Sequence, residues 1–197
     1  MPRQYSPPQF GALHQGEILG EIWEHVPRYP PIESQSGQSF PIDSVRYEFV
    51  VVMSPDCDLE WDFKARFPDQ QSQEQLSSPS DISDLPVSVS HVFLAKIYRR
   101  EKIRSLIKGS DIWKRIENNQ DERYHRFKES PVGEPLTTVL PDLYIDFKKA
   151  LAIPTKSLYE GLRVGGVRRI ALIPDKYIHD LMHRYYGFLS RVALPEP

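Results

Sequence analysis

The stretch Tyr47-Glu-Phe-Val-Val-Val-Met53 constrains this chain more than any other. Phe49 to Val52 are consecutive aromatic or β-branched residues, so a strand here puts apolar side chains on both of its faces. Such a strand belongs inside a sheet that is covered on both sides. It ends at Ser54-Pro55, because proline has no N–H to give to a ladder. Elsewhere the pattern is cut into short pieces. Eighteen prolines against 10 glycines in 197 residues favour rigid turns and exclude a helical bundle or coiled coil. With 40 % apolar residues the chain can fill one core, and its length fits a single domain spanning residues 1–197.

Gly16 to Trp23 interleaves apolar and acidic residues as a strand does, and the prolines scattered over 27–43 predict a long loop after it. His91 to Tyr98 reads as a strand. Ile103, Leu106, Ile107, Ile112, Trp113 and Ile116 have helical spacing broken at Gly109-Ser110, which predicts two short helices. Arg123–Lys128, Leu143–Phe147, Ala150–Ile153 and Val167–Ile173 read as strands, and Thr155–Leu162 as a turn or two of helix. A last helix over 175–191 carries the stripe Ile178, Leu181, Met182, Tyr185 and Leu189, with Pro174 in its first turn. This order predicts an α+β fold: a mainly antiparallel, barrel-like sheet with a short helical insert and a packed C-terminal helix. Residues 1–10, with three prolines, are expected to be a loose arm.

Net charge is only −2, so the chain as a whole is no polyanion binder. The charge is unevenly placed. Residues 54–90 hold eight acids and two bases, and 60–90 is expected to be a mobile acidic loop. Residues 96–128 hold eleven bases and five acids, a basic insert that also contains Tyr98, Trp113, Tyr124 and Phe127. Aromatics among cations suit single-stranded nucleic acid, through stacking and phosphate neutralisation. The same charges suit an acidic protein partner, or the acidic loop of the chain itself. The binding candidates are Arg99, Arg100, Lys102, Arg104, Trp113, Arg123 and Arg126.

Ser54-Pro-Asp-Cys-Asp-Leu59 is the most pointed local motif. Carboxylates on both sides of Cys57 raise a thiol pKa, which argues against a nucleophile, and two alternating acids are too few for a metal. Asp56, Cys57 and Asp58 therefore read as a turn whose acids cap N–H groups while Cys57 packs as a small hydrophobe, with an interaction site as the alternative. His179 and His183 have the i, i+4 spacing of a zincin pair, but Asp180 stands where the Glu belongs and no third ligand is indicated. The apolar stripe leaves both histidines off the buried face. A single cysteine excludes an internal disulfide and a Cys-rich zinc site, and no metal or cofactor is expected. His125, close to Arg123 and Arg126, is a candidate general base for RNA cleavage through the 2′-hydroxyl. No apolar run is long enough to span a bilayer and the first ten residues lack a signal-peptide core, so the expectation is a soluble, cytoplasmic protein without membrane contact.

Gly16-Glu-Ile-Leu19, the long loop and Phe49-Val-Val-Val-Met-Ser-Pro-Asp56 together resemble the opening of the PemK/MazF-like superfamily, where a G-D-I strand precedes one of the type R-P-V-V-V-L-S-N-D. Leu143-Tyr-Ile-Asp-Phe-Lys148 is similar to a later strand of that fold, and a C-terminal helix follows. The resemblance implies a small SH3-like β-barrel, and its active members are dimeric, metal-independent endoribonucleases of toxin–antitoxin systems that cut single-stranded RNA. They use an arginine before the second strand and a Thr or Ser after the third. Glu48 stands at that arginine position; Arg46, two residues earlier, shares its side of the strand, and no threonine follows 91–98. Arg46 is therefore the catalytic candidate that the resemblance implies, acting with His125 or a serine. Relatives of this kind also act by binding, some of them in antiviral defence including CRISPR-associated operons. The leading expectation is a regulatory barrel that binds a protein partner. An RNA-cutting toxin and a single-stranded nucleic-acid binder are the alternatives, and a homodimer is compatible with each.

Overall fold

The computed structural model describes residues 10–28, 41–68, 89–127 and 142–191. Its strands are β1 (Glu17–Pro27), β2 (Ile42–Val52), β3 (His91–Arg99), β4 (Tyr124–Phe127), β5 (Leu143–Pro154) and β6 (Arg168–Leu172). The helices are α1 (Asp56–Arg66), α2 (Arg100–Leu106), α3 (Ser110–Glu117), α4 (Thr155–Arg163) and α5 (Asp175–Leu189). All strand pairs are antiparallel, in the order β4-β5-β3-β2-β1-β6. The fold is α+β with a six-stranded antiparallel sheet and a packed C-terminal helix. Its edge strands, β4 and β6, do not pair with each other among the described residues, so the sheet is not a closed barrel.

The run Phe49 to Val52 lies inside the sheet and feeds both of its faces. Phe49 and Val51 join Ile18, Ile97, Ile145 and Ala171 in a cluster under α5, which contributes Leu181 and Met182. Val50 and Val52 join Leu19, Leu94 and Leu151 in a second cluster, under Leu59 of α1 and Leu158, Tyr159 and Leu162 of α4. The three valines are fully buried. A third cluster packs Ile103 of α2 and Trp113 and Ile116 of α3 on Tyr124 and Tyr144 of the sheet. Pro55, Pro154 and Pro174 stand at the N-caps of α1, α4 and α5, Pro55 and Pro174 in extended conformation. Each proline, lacking an N–H, ends the ladder and opens a helix; Pro174 thus lies just before the first turn expected to hold it.

Four expectations change. The acidic stretch after Pro55 is not loop throughout, because 56–66 form α1, with Leu59 and Asp62 buried. Acids in its first turn and bases in its last complement the helix dipole, a signal that the regional net charge conceals. The Asp62 carboxylate accepts from Arg66 Nε at 2.7 Å and from the Val89 N–H at 3.2 Å, which ties α1 to the chain leading into β3. Residues 69–88 of the expected mobile loop, and 1–9 of the expected arm, lie outside the described residues. Phe10 is no loose arm: its ring packs 5.0 Å from that of Phe67 and 5.8 Å from that of Phe63. The two strands expected over 143–153 are one strand with a bulge. In α5, Phe188 packs on the core while Leu189 is exposed. No helix among the described residues is long and apolar enough to cross a membrane.

Candidate functional site

The basic segment proves to be β3's second half, α2, α3 and β4, and most of its arginines serve the fold. Trp113 is buried, with the guanidinium carbons of Arg100 and Arg104 lying 5.7 and 5.4 Å from its ring centre. Arg100 donates to Glu117 at 2.5 Å, and Arg126 to Asp142 at 3.1 Å and to the Glu117 carbonyl at 3.2 Å. Arg123 grips buried Asp146 with two hydrogen bonds of 2.7 and 2.6 Å, and this pairing raises its pKa above the ordinary guanidinium value. Trp113 is therefore a core residue and not a stacking platform, and Arg100, Arg123 and Arg126 clamp the insert to the sheet. Arg104 also bonds the Ile107 carbonyl, at 2.5 Å. The unpaired cations are elsewhere. Lys102, Lys108, Lys114 and Arg115 are exposed and have no acidic partner within 4 Å among the described residues. Leu106, 53 % exposed, follows Lys102 by one turn of α2; Ile112, 49 % exposed, precedes Arg115 by one turn of α3.

Arg46 and Arg99 meet at a second place. They line an open cleft of about 410 Å³ with Arg168, Glu21 and Glu48, floored by Phe49 and Ile170. Arg46 bonds Glu21 through Nε and Nη2, both at 2.7 Å; Arg168 approaches the same carboxylate at 3.4 Å, and Arg99 bonds Glu48 at 2.6 Å. Three guanidinium groups thus face two carboxylates. The backbone explains the convergence. Leu19 and Ile22 both enter the second cluster, although side chains three apart on a regular strand point to opposite faces. Glu21, at φ 64°, absorbs the reversal. Opposite it, β2 changes face between Phe49 of the first cluster and Tyr47 against the second. Sequence reading missed Glu21 and Arg168 because strand pairing alone unites positions 21, 46 and 168.

The structure does not bring Arg46 and His125 together. β5 and β3 lie between β4 and β2, a separation of about 14 Å at the usual strand spacing. Arg46 is bound to Glu21, while His125 is 2 % exposed beneath α5. Burial, followed by nearby Arg184, pushes the imidazole down to about 4 against the opposing pull of Asp180. Its Nδ1 lacks a hydrogen-bond partner, and Asp180 Oδ2 is 4.0 Å away. A neutral ring held like this is a core residue, which corrects its reading as an accessible general base.

Asp56, Cys57 and Asp58 form the first turn of α1 rather than an isolated turn. Asp56 does cap an exposed N–H, that of Gln15, at 2.7 Å. Cys57 is exposed, not packed, because the buried side of this helix is the one carrying Leu59 and Asp62. His179 and His183 are both exposed on α5, as the apolar stripe requires. Among the described residues no three His, Cys, Asp or Glu side chains gather as metal ligands. Comparison with known protein families gives no match, and neither does comparison with curated proteins.

Proposed function

We propose that this chain is a divergent PemK/MazF-like protein whose SH3-like barrel is left open, acting in the cytoplasm as the partner-binding, regulatory component of a prokaryotic toxin–antitoxin or antiviral defence system. The observation that carries the binding reading is the outer surface of α2 and α3. Lys102, Lys108, Lys114 and Arg115 are exposed on the two helices and the loop between them, as are Leu106 and Ile112, while the neighbouring arginines are occupied. Cations without an acidic partner among the described residues, next to exposed apolar side chains, suit an acidic protein, the charges steering encounter and the apolar side chains holding the complex. The place in a defence system rests on the sequence resemblance.

The test is affinity capture from the native host with wild type and a Lys102→Glu/Arg115→Glu variant. One acidic protein should be retained by wild type, lost from the variant, and weakened as salt rises from about 50 to 300 mM. Equal capture by both proteins, or capture of RNA alone, refutes the reading.

A second reading has its own observation: Arg46 and Arg99 border the 410 Å³ cleft, where a phosphodiester would meet guanidinium groups. Discrete cuts in a long mixed-sequence RNA in EDTA, made by wild type and not by Arg46→Ala, would favour an endoribonuclease. Intact RNA would exclude it.

A further inference from the structure

A row of side chains crosses the sheet through Val50, Lys96, Asp146 and Tyr124. On the same face, Val52, Leu94 and Leu151 on one side of the row belong to the second apolar cluster. Tyr98 and Tyr144 on the other side belong with the third. Apolar residues at 96 and 146 would merge the two clusters. Instead the fold holds a carboxylate that is 1 % exposed and a half-buried ammonium in the middle of a sheet face. Such an interruption costs stability, and places where a chain breaks its own pattern are where function is expected. A bulge coincides with the row: Ala95 and Lys96 are adjacent, but their β5 partners are Ala150 and Asp146, so Phe147 to Lys149 have no partner on β3. Bulges re-aim side chains and are common beside binding sites.

The chemistry around Lys96 is specific. Its Nζ lies 5.0 Å from the Tyr47 ring centre and 4.8 Å from that of Tyr98. The Tyr47 hydroxyl donates to Glu24 at 2.5 Å, fixing that ring. Arg123 neutralises Asp146, and its guanidinium carbon is 4.7 Å from the Tyr124 ring centre. Lys102 and Lys149 are near enough to add to the effect of burial in lowering the Lys96 pKa. The Lys96 ammonium, with Lys102 and Lys149 adding positive charge around it, therefore lies beside two half-buried tyrosines.

We propose that this cluster binds a small aromatic anion of the nucleoside monophosphate class, its ring stacked on Tyr47 or Tyr98 and its phosphate met by Lys96, Lys102 and Lys149. Ammonium groups pair with a phosphate, and tyrosine faces stack any base. The polar row is narrow. Leu94 and Tyr98, each about 7 Å from Lys96 along β3, already belong to the flanking clusters. That width suits one nucleotide better than a strand of bases. The site is separate from the acidic-partner surface on α2 and α3, with Lys102 on the border between them.

Calorimetric titration of the full chain at low salt with UMP, AMP, ribose 5-phosphate and a pentauridylate tests the assignment. UMP and AMP should bind at least tenfold tighter than ribose 5-phosphate. Lys96→Met, which keeps the aliphatic length, should lose at least tenfold in affinity, while Lys176→Met, on α5 across the sheet, binds as wild type. Three results would each overturn the proposal: ribose 5-phosphate binding as well as the nucleotides, unchanged binding by Lys96→Met, or binding of the oligonucleotide alone. If Lys96→Met does not fold, protection of Lys96 in the wild-type chain from reductive methylation by UMP, read by mass spectrometry, decides the point. Absence of selective protection refutes it.

Discussion

Acidification should loosen this fold through His125. The ring is 2 % exposed, packed 4.8 Å from Phe127 and beneath α5, and its pKa falls from the ordinary 6.5 to about 4, chiefly by burial. A depressed histidine pKa means that the folded state holds fewer protons than the unfolded chain between about pH 6.5 and pH 4. The stability tied to a neutral His125 is thus complete above pH 6.5 and is lost as the pH falls toward 4. One pH unit is worth about 1.4 kcal/mol, so the loss between pH 7 and pH 4 is about 3 kcal/mol, a large fraction of a typical domain's stability. Carboxylates titrate over part of this range too, so the comparison needs a reference. His125→Phe keeps an aromatic ring and cannot titrate. Urea unfolding of both proteins from pH 7 to pH 4 should show the wild type losing about 3 kcal/mol more than the variant. Parallel pH profiles would refute the account, and would mean that His125 gains a charge partner in the folded state, with Asp180, at 4.0 Å, the nearest candidate.

Gly16 sits at φ +79°, and a Cβ added there would lie 1.7 Å from Ile178 Cδ1 of α5. Gly16→Ala should cost about 3 kcal/mol, from left-handed backbone strain plus overpacking, read as a lowered urea midpoint at constant m value. Asp62→Ala removes the acceptor for both Arg66 and the Val89 N–H, and should cost about 3 kcal/mol in the same assay. Cys57 is exposed, so the native protein should react with a thiol reagent without denaturant, and Cys57→Ser should shift stability by less than about 0.5 kcal/mol. A thiol that reacts only after unfolding would contradict that placement.

The sequence by itself determined the interior strand, most strand ends and the insert's helices, but not α1. Phe49 to Val52 demanded an interior strand, and the two-sided burial of β2 follows from four adjacent apolar residues whatever surrounds them. Prolines at 55, 154 and 174 marked where strands end, because a residue without an N–H disrupts a ladder in any context, and at 154 and 174 the helix that follows was legible too. The spacing of Ile103, Trp113 and Ile116 announced α2 and α3 for the same local reason. Charge was legible as a tally and not as a surface. Nothing in the order of residues tells whether Arg123 faces solvent or Asp146, 23 positions away, and so candidate binding arginines became structural clamps. The cleft residues 21, 46, 99 and 168 are united only by strand pairing and by the reversal at Glu21. His125 reads in sequence like any histidine between cations; α5 packing over it makes it neutral. Periodicity is a property of neighbours along the chain, whereas desolvation and ion pairing depend on what arrives from elsewhere, so the tertiary structure alone decided which charged groups are free to bind.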